Sequence, residues 1–225
     1  MSSLIAAALF FVGIHVFISG TALRGFLVRR LGEKIYLAFF SALSAGGLAW
    51  LIWAFTSVRV VVPTGLAGWR WFAVVLNFIA LVLVSFGVLS RSPTAVGGAR
   101  LLDEDGEPAR GMHRVTRHPM LWGFAIWAAV HMVFNPQSPA LIFFGTFLVL
   151  ALTGPLLIDA KRAAVEGERW KRYLSATSNV PFAAIFAGRN RMAWDELVAF
   201  PLLAAAVITE LLVLNHAAWF GVPAL

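Results

Sequence analysis

Apolar residues in this chain come in long runs rather than in strict alternation. They fill about Leu4–Leu23, Ile35–Phe55, Trp71–Leu89, Met120–Phe134, Leu141–Ile158 and Leu197–Phe220. Most of these runs approach the roughly 20 residues needed to cross a bilayer. The fourth is short, bounded by Pro119 and by the Asn135–Pro139 turn, and is expected to begin or end in the interface. Open sheet edges do not survive in lipid, so the runs are read as helices. The expected fold is all-α: one polytopic membrane helical bundle covering residues 1–225, with about six transmembrane helices.

The polar segments between the runs carry an alternating charge. The first loop holds Arg24, Arg29, Arg30 and Lys34, and the third holds Arg91, Arg100, Arg110, Arg114 and Arg117. The fifth holds Lys161, Arg162, Arg169, Lys171, Arg172, Arg189 and Arg191, whereas the second has only Arg59 and Arg70. Sixteen of the 18 lysines and arginines thus lie in odd-numbered loops. That asymmetry predicts both termini outside and the odd loops in the cytoplasm. No basic stretch precedes the first run, so the N-terminus reads as an anchor and not as a cleavable signal.

Two loops carry structure of their own. Arg91–His118 includes an acidic turn, Asp103-Glu104-Asp105-Gly106, expected to be solvated. In Asp159–Arg191, Glu166–Leu174 reads as a short charged helix with Trp170 and Tyr173 at the headgroups, and Val180–Ala187 reads as interfacial.

Composition agrees with the pattern. Hydrophobic residues make up 60% of the 225 and charged residues only 13%, against roughly 25% in soluble domains. With no cysteine, disulfides, thiolate metal sites and cysteine nucleophiles are excluded. The net charge of +7 would hint at nucleic acid in a soluble protein. Here it lies in loops between spans, so it is a topology signal and no nucleic-acid partner is expected.

The candidate chemistry begins with two histidines inside apolar runs, His15 and His131. Imidazole in hydrocarbon is costly without a partner. His131 shares a face with Trp127 and Phe124, beside Ala128 and Gly123; His15 shares one with Ala8, Phe11, Ser19 and Ala22. Small residues let a flat ring approach the backbone, though the same stripe also serves ordinary helix packing. For each histidine alone, a structural hydrogen bond and metal ligation stay open. A pair on separate spans favours ligation, and haem iron is the guest that suits two imidazoles.

Arg117-His118-Pro119 opens the fourth run, with Pro119 suited to a first helical turn. His118 precedes His131 by 13 residues, about 220° around a helix, so the two do not serve one site from one face. Arg117 and His118 suit either headgroup and capping contacts or, beside Arg114, an anion site. Glu210, inside the last run, calls for protonation or a partner such as Asn77. Asn215 and His216 read as interfacial, and His113 as a solvated loop residue. There is no nucleotide-binding glycine loop, no Ser/His/Asp constellation and no zinc spacing.

These residues resemble the NnrU family, which includes the plant and algal 15-cis-ζ-carotene isomerase. The resemblance runs through Gly13-Ile14-His15 to Leu23-Arg24, Leu31-Gly32-Glu33 with Tyr36, and Arg91-Ser92-Pro93-Thr94-Ala95. Its most specific part is Val115-Thr116-Arg117-His118-Pro119-Met120-Leu121-Trp122-Gly123, with Trp127 and His131, followed by Phe143-Phe144-Gly145. The isomerase branch implies an integral membrane haem b enzyme whose axial ligands fall on His15 and His131. It also implies a cysteine one turn before the second ligand, where this chain has Ala128, so a cysteine ligand switch is impossible here. The NnrU branch implies a bacterial inner (plasma) membrane protein linked to denitrification and nitric-oxide metabolism.

A more distant resemblance runs to isoprenylcysteine and phospholipid methyltransferases. Arg117, His118, Pro119 and Gly123 match their motif, Leu121 replaces its tyrosine, and Glu166, Trp170, Tyr173 and Pro181 echo the downstream stretch. That likeness implies S-adenosylmethionine at the cytoplasmic face.

The leading expectation is a haem b protein with His15 and His131 as ligands, and with Arg24, Arg114, Arg117 and His118 near propionates or another anionic group. Two axial imidazoles favour electron transfer or sensing, with a redox partner protein. The alternatives are ζ-carotene cis–trans isomerisation on a lipophilic substrate, a methyltransferase, and a non-enzymatic accessory protein. One geometric strain goes with the haem reading: measured from the centres of their runs, the two histidines differ in depth by about 10 Å at 1.5 Å per residue.

Overall fold

The computed structural model describes residues 1–58, 66–95, 97–103 and 107–224. Arg59 of the second loop and the acidic turn at Glu104–Gly106 lie outside them. Among the described residues the chain is helical and has no strand. The described residues form nine α-helices in order: α1 Ser2–Gly13, α2 Ala22–Leu31, α3 Glu33–Thr56, α4 Arg70–Leu89, α5 Pro119–Phe134, α6 Ser138–Glu166, α7 Glu168–Ala176, α8 Ala183–Phe186 and α9 Ala199–Phe220. A π-helical turn, Ile14–Ser19, continues α1. Among the described residues five helices are long and apolar enough to cross a membrane: Ser2–Ser19, α3, α4, α6 and α9. The fourth run is α5, whose 16 residues reach about 24 Å, short of a roughly 30 Å core. The polytopic all-α bundle expected from hydropathy is therefore what the chain forms.

The helices gather into two compact units, Met1–Leu66 with Ala128–Leu157, and Ala67–Trp127 with Ile158–Leu225. In the first, α1 packs on α3. Its buried positions Leu4, Ala7, Ala8 and Phe11 recur every three or four residues and meet Leu51 and Ala54. Gly47 lets the ring of Phe10 in, since a Cβ there would lie 3.0 Å from it. Ile142, Phe143, Phe147 and Leu150 complete this core.

In the second unit α4 packs on α9, and the start of α5 lies against α4. That last contact is made by glycine. A Cβ on Gly87 would meet Met120 N at 2.6 Å, and one on Gly123 would meet Ala80 O at 2.5 Å. Gly123 is thus a helix-packing residue, as small residues are between membrane helices. The loops are stitched by two backbone bonds, Arg117 N to Ser178 O and Phe182 N to Val115 O, both 2.8 Å. Trp122 Nε1 donates to Asn179 O at 2.8 Å. Phe182 holds the left-handed φ of 63° that lets the chain turn into α8.

Three expectations are corrected here. Trp170 and Tyr173 are fully buried and not at headgroups, because the face of α7 that carries them closes the core of the second unit. His113 is buried, because it sits in a tight 3-10 turn, Gly111–Arg114, that is packed into the same unit. Asn77 does not partner Glu210: its Nδ2 donates to Ala73 O in its own helix, its Oδ1 has no hydrogen bond, and Glu210 is exposed on α9. The charged helix of the fifth loop is present as α7, two residues later than expected.

Candidate functional site

The first unit holds both membrane histidines. His15 lies in the π-helical turn, where the hydrogen-bond ladder widens; such single turns occur often at functional positions in helices. Its Nδ1 is 2.8 Å from the carbonyl of Phe11. Donation from Nδ1 to that carbonyl leaves Nε2 with its lone pair, the arrangement in which a histidine ligates a metal. The ring packs against Phe11 at 4.6 Å and edge-on to Phe40 at 5.4 Å. His131 stacks on Phe144 at 4.6 Å. A row of rings joins the two: Phe11 to Phe147 at 6.0 Å, Phe147 to Phe143 at 5.3 Å, and Phe143 to Phe144 at 5.1 Å. Each step lies in the range where aromatic rings attract. Ala128, one turn before His131, is fully buried. Arg24 in the same unit pairs with exposed Glu33 at 3.5 Å and lies over the ring of Tyr36.

Among the described residues no group of three or more His, Cys, Asp or Glu gathers as a metal-ion cluster. A porphyrin supplies four of its iron's ligands and asks the protein for one or two axial donors. Each imidazole is a donor of the type such a group takes, and the rings of Phe11, Phe147, Phe143 and Phe144 link one to the other.

The second unit holds Arg114, Arg117 and His118, each already matched to a carboxylate. Arg117 Nη2 donates to Asp159 Oδ2 at 2.8 Å and its Nη1 to Thr177 Oγ1 at 3.2 Å. His118 Nε2 is 2.9 Å from the other oxygen, Asp159 Oδ1. One aspartate at the end of α6 therefore binds both residues that open α5. Arg114 grips Glu196 with both arms of its fork, Nε to Oε2 at 2.8 Å and Nη2 to Oε1 at 2.7 Å, and also meets Glu107 at 2.6 Å. The Arg114 guanidinium holds Glu196 down at about 2 against the cost of its desolvation, with help from the Gly111 N–H. Glu196 in turn raises Arg114. An open cavity of about 600 Å³ lies here, lined by Arg110, Arg114, Arg191 and Glu196 among others.

Burial pushes His113 down to about 4, and the nearby His118 adds to it, so the ring is neutral. The backbone of Arg117 and Arg91 opposes this shift without closing a hydrogen bond to either ring nitrogen. Burial likewise raises the Tyr173 hydroxyl. Glu166, placed in a cofactor cleft by the methyltransferase likeness, pairs with Arg169 at 2.7 Å and Arg162 at 3.5 Å. Asp159 and Glu196 are the residues that sequence reasoning missed. Asp159 closes an apolar run, and an acid at that border was a usable sign of a partner.

Comparison with known proteins places the chain. The 15-cis-zeta-carotene isomerase of Zea mays, a chloroplastic protein, is 25% identical over 190 residues, covering 80% of this chain and 50% of its own length. The Arabidopsis thaliana protein of the same name is 32% identical over 102 residues, covering 44% of this chain and 28% of its own length. The chain thus spans about half or less of each relative it matches. No solved structure matches it. The family profile described as NnrU protein matches residues 3–224, a span that holds the two histidines, the Arg-His-Pro segment and their partners, and the chain belongs to the NnrU family.

Proposed function

We propose that the protein is a membrane isomerase that converts a cis double bond of a lipophilic polyene of the ζ-carotene class to trans, with haem b held by His15 and His131. The observation that carries this reading is the π-helical turn that fixes His15 Nδ1 on the Phe11 carbonyl and leaves Nε2 for a metal. The named activity of the maize and Arabidopsis relatives supports the substrate class. Cis–trans isomerisation changes neither composition nor oxidation state, so it needs no co-substrate. When bound, haem supplies a redox-active iron. The protein's share would be to hold that iron through its imidazoles, to orient His15 through Phe11, and to keep water out. The row Phe11, Phe147, Phe143 and Phe144 offers an apolar aromatic lining suited to a conjugated chain. Ala128 carries no sulfur, so any change in ligation falls on the histidines themselves.

The test pairs a spectrum with a product assay. The purified protein is scanned oxidised and dithionite-reduced, and a strain accumulating 15-cis-ζ-carotene is grown in darkness with the wild type, His15→Ala or His131→Ala. A low-spin haem spectrum and dark conversion, both lost in each variant, are expected. A wild type that stays colourless after haem reconstitution and converts nothing would sink the proposal.

The missing thiol favours a second reading. With two fixed imidazoles and no sulfur to exchange, the haem would serve electron transfer or gas sensing in nitrogen-oxide metabolism, as the NnrU branch implies. A bis-histidine spectrum without dark conversion would select it.

A further inference from the structure

Within α9, Glu210 is the only Asp, Glu, Lys or Arg, and it stands at the helix centre. It is the twelfth of 22 residues, so about 15 Å of helix lies on either side of it. That is half of a roughly 30 Å hydrocarbon core. A carboxyl at such depth is costly unless another polar group meets it.

The helix packs on α4, and its buried residues are Pro201 and Ala205. Nine and five residues on, at 100° each, Glu210 falls on the opposite side. There Phe200, Leu203, Val207, Glu210, Leu214 and Ala217 follow at alternate spacings of three and four, and all six are exposed. Leu203, Val207 and Leu214 are between 56% and 72% exposed. The spacing is that of a seam along which two helices pack with a left-handed crossing. Hydrocarbon can cover the five apolar members of the seam but offers the carboxyl nothing.

The chemistry of that carboxyl points to a second copy. A carboxylic acid gives one hydrogen bond and accepts others, so it complements itself. Copies inserted the same way in one membrane are related by an axis along the membrane normal. A two-fold interface about that axis sets each seam residue against its own counterpart. One polar residue in an otherwise apolar seam also fixes the register and the number of helices.

We propose that α9 is the interface of a homodimer, in which the Phe200–Ala217 seam packs on the same seam of a second copy and the two Glu210 carboxyls hydrogen-bond to each other at mid-membrane. The interface involves neither His15 nor His131, so it stands or falls separately from the function proposed above.

The chain has no cysteine, so introduced thiols report contacts without background. Val207→Cys, Leu214→Cys and Ile208→Cys are made singly in the full chain. Each is oxidised with copper phenanthroline, in membranes of the expressing cells and in phosphatidylcholine vesicles holding the purified protein. Ile208 is also exposed, but it is turned about 160° from Glu210. Disulfide-linked dimers are expected at positions 207 and 214 and at most traces at 208. Equal yields at all three, or none at 207 and 214, would overturn the interface. An adduct with a different protein in the cell membranes would overturn the second copy as its occupant. Energy transfer between two fluorescent fusions, followed as the vesicles are diluted with lipid, reads the strength of the dimer. Glu210→Leu should weaken it about three- to tenfold. Glu210→Gln keeps a donor and an acceptor and should stay within about twofold of wild type. A dimer equally strong in Glu210→Leu would take the carboxyl out of the interface and sink the proposal.

Discussion

Histidine appears in both compact units, and the two settings differ in kind. In the unit of Met1–Leu66 and Ala128–Leu157, His15 and His131 are set among phenylalanine rings, and the His15 side chain makes its polar contact with a backbone carbonyl. In the unit of Ala67–Trp127 and Ile158–Leu225, His118 shares an aspartate with an arginine, and His113 is buried and neutral. In the first unit the imidazoles stand among aromatic rings. In the second unit the imidazoles are bound into, or buried beside, a charge network. What a histidine does here follows from which groups are already satisfied around it, and residue type alone does not decide it.

The comparison breaks most readily at Asp159. Replacing it with alanine leaves buried Arg117 and His118 without their carboxylate and should cost about 3–5 kcal/mol, read by thermal unfolding in detergent. His15→Ala, which removes no such pair, should leave the ligand-free melting point near wild type. An Asp159→Ala protein as stable as wild type would show the network to be ornamental.

Acid gives the next largest effect. His113 stands at about 4 when folded and 6.5 as the reference value. Between those values the unfolded chain binds the extra proton, so stability is full above 6.5 and is lost as pH falls toward 4, by roughly 3 kcal/mol. His113→Gln should flatten that part of the stability profile; an unchanged slope would place the titration elsewhere. Smallest is Gly123→Ala. Its Cβ would press on the Ala80 carbonyl, a backbone atom with little room to yield, and should cost about 1–3 kcal/mol without altering any haem spectrum. A changed spectrum would tie Gly123 to the cofactor and blur the division between the units.

The six apolar runs were legible because a bilayer demands length and hydropathy, and both are local properties of sequence. The shortness of α5 was legible too, from Pro119 and the Asn135–Pro139 turn. His15 and His131 stood out because imidazole is rare in such runs. What stayed hidden depends on pairing at a distance. Asp159 lies 41 and 42 residues from His118 and Arg117, and Glu196 lies 82 from Arg114. His113 looked solvated because loops usually are, yet this loop is tied to 178–182 by backbone bonds and folded inward.

The π-helical turn also changes what counts as the same place in a relative. A π turn accommodates about one residue more than an α turn, so the helix faces before Ile14 and after Ser19 slip out of phase by roughly 100°. A relative that lacks one residue there would keep its lipid-facing side on one half of the helix and rotate it on the other. Alignments through this stretch should therefore open a one-residue gap beside His15, and removing a single residue between Ile14 and Ser19 is the shortest route to turning that histidine away from its present neighbours.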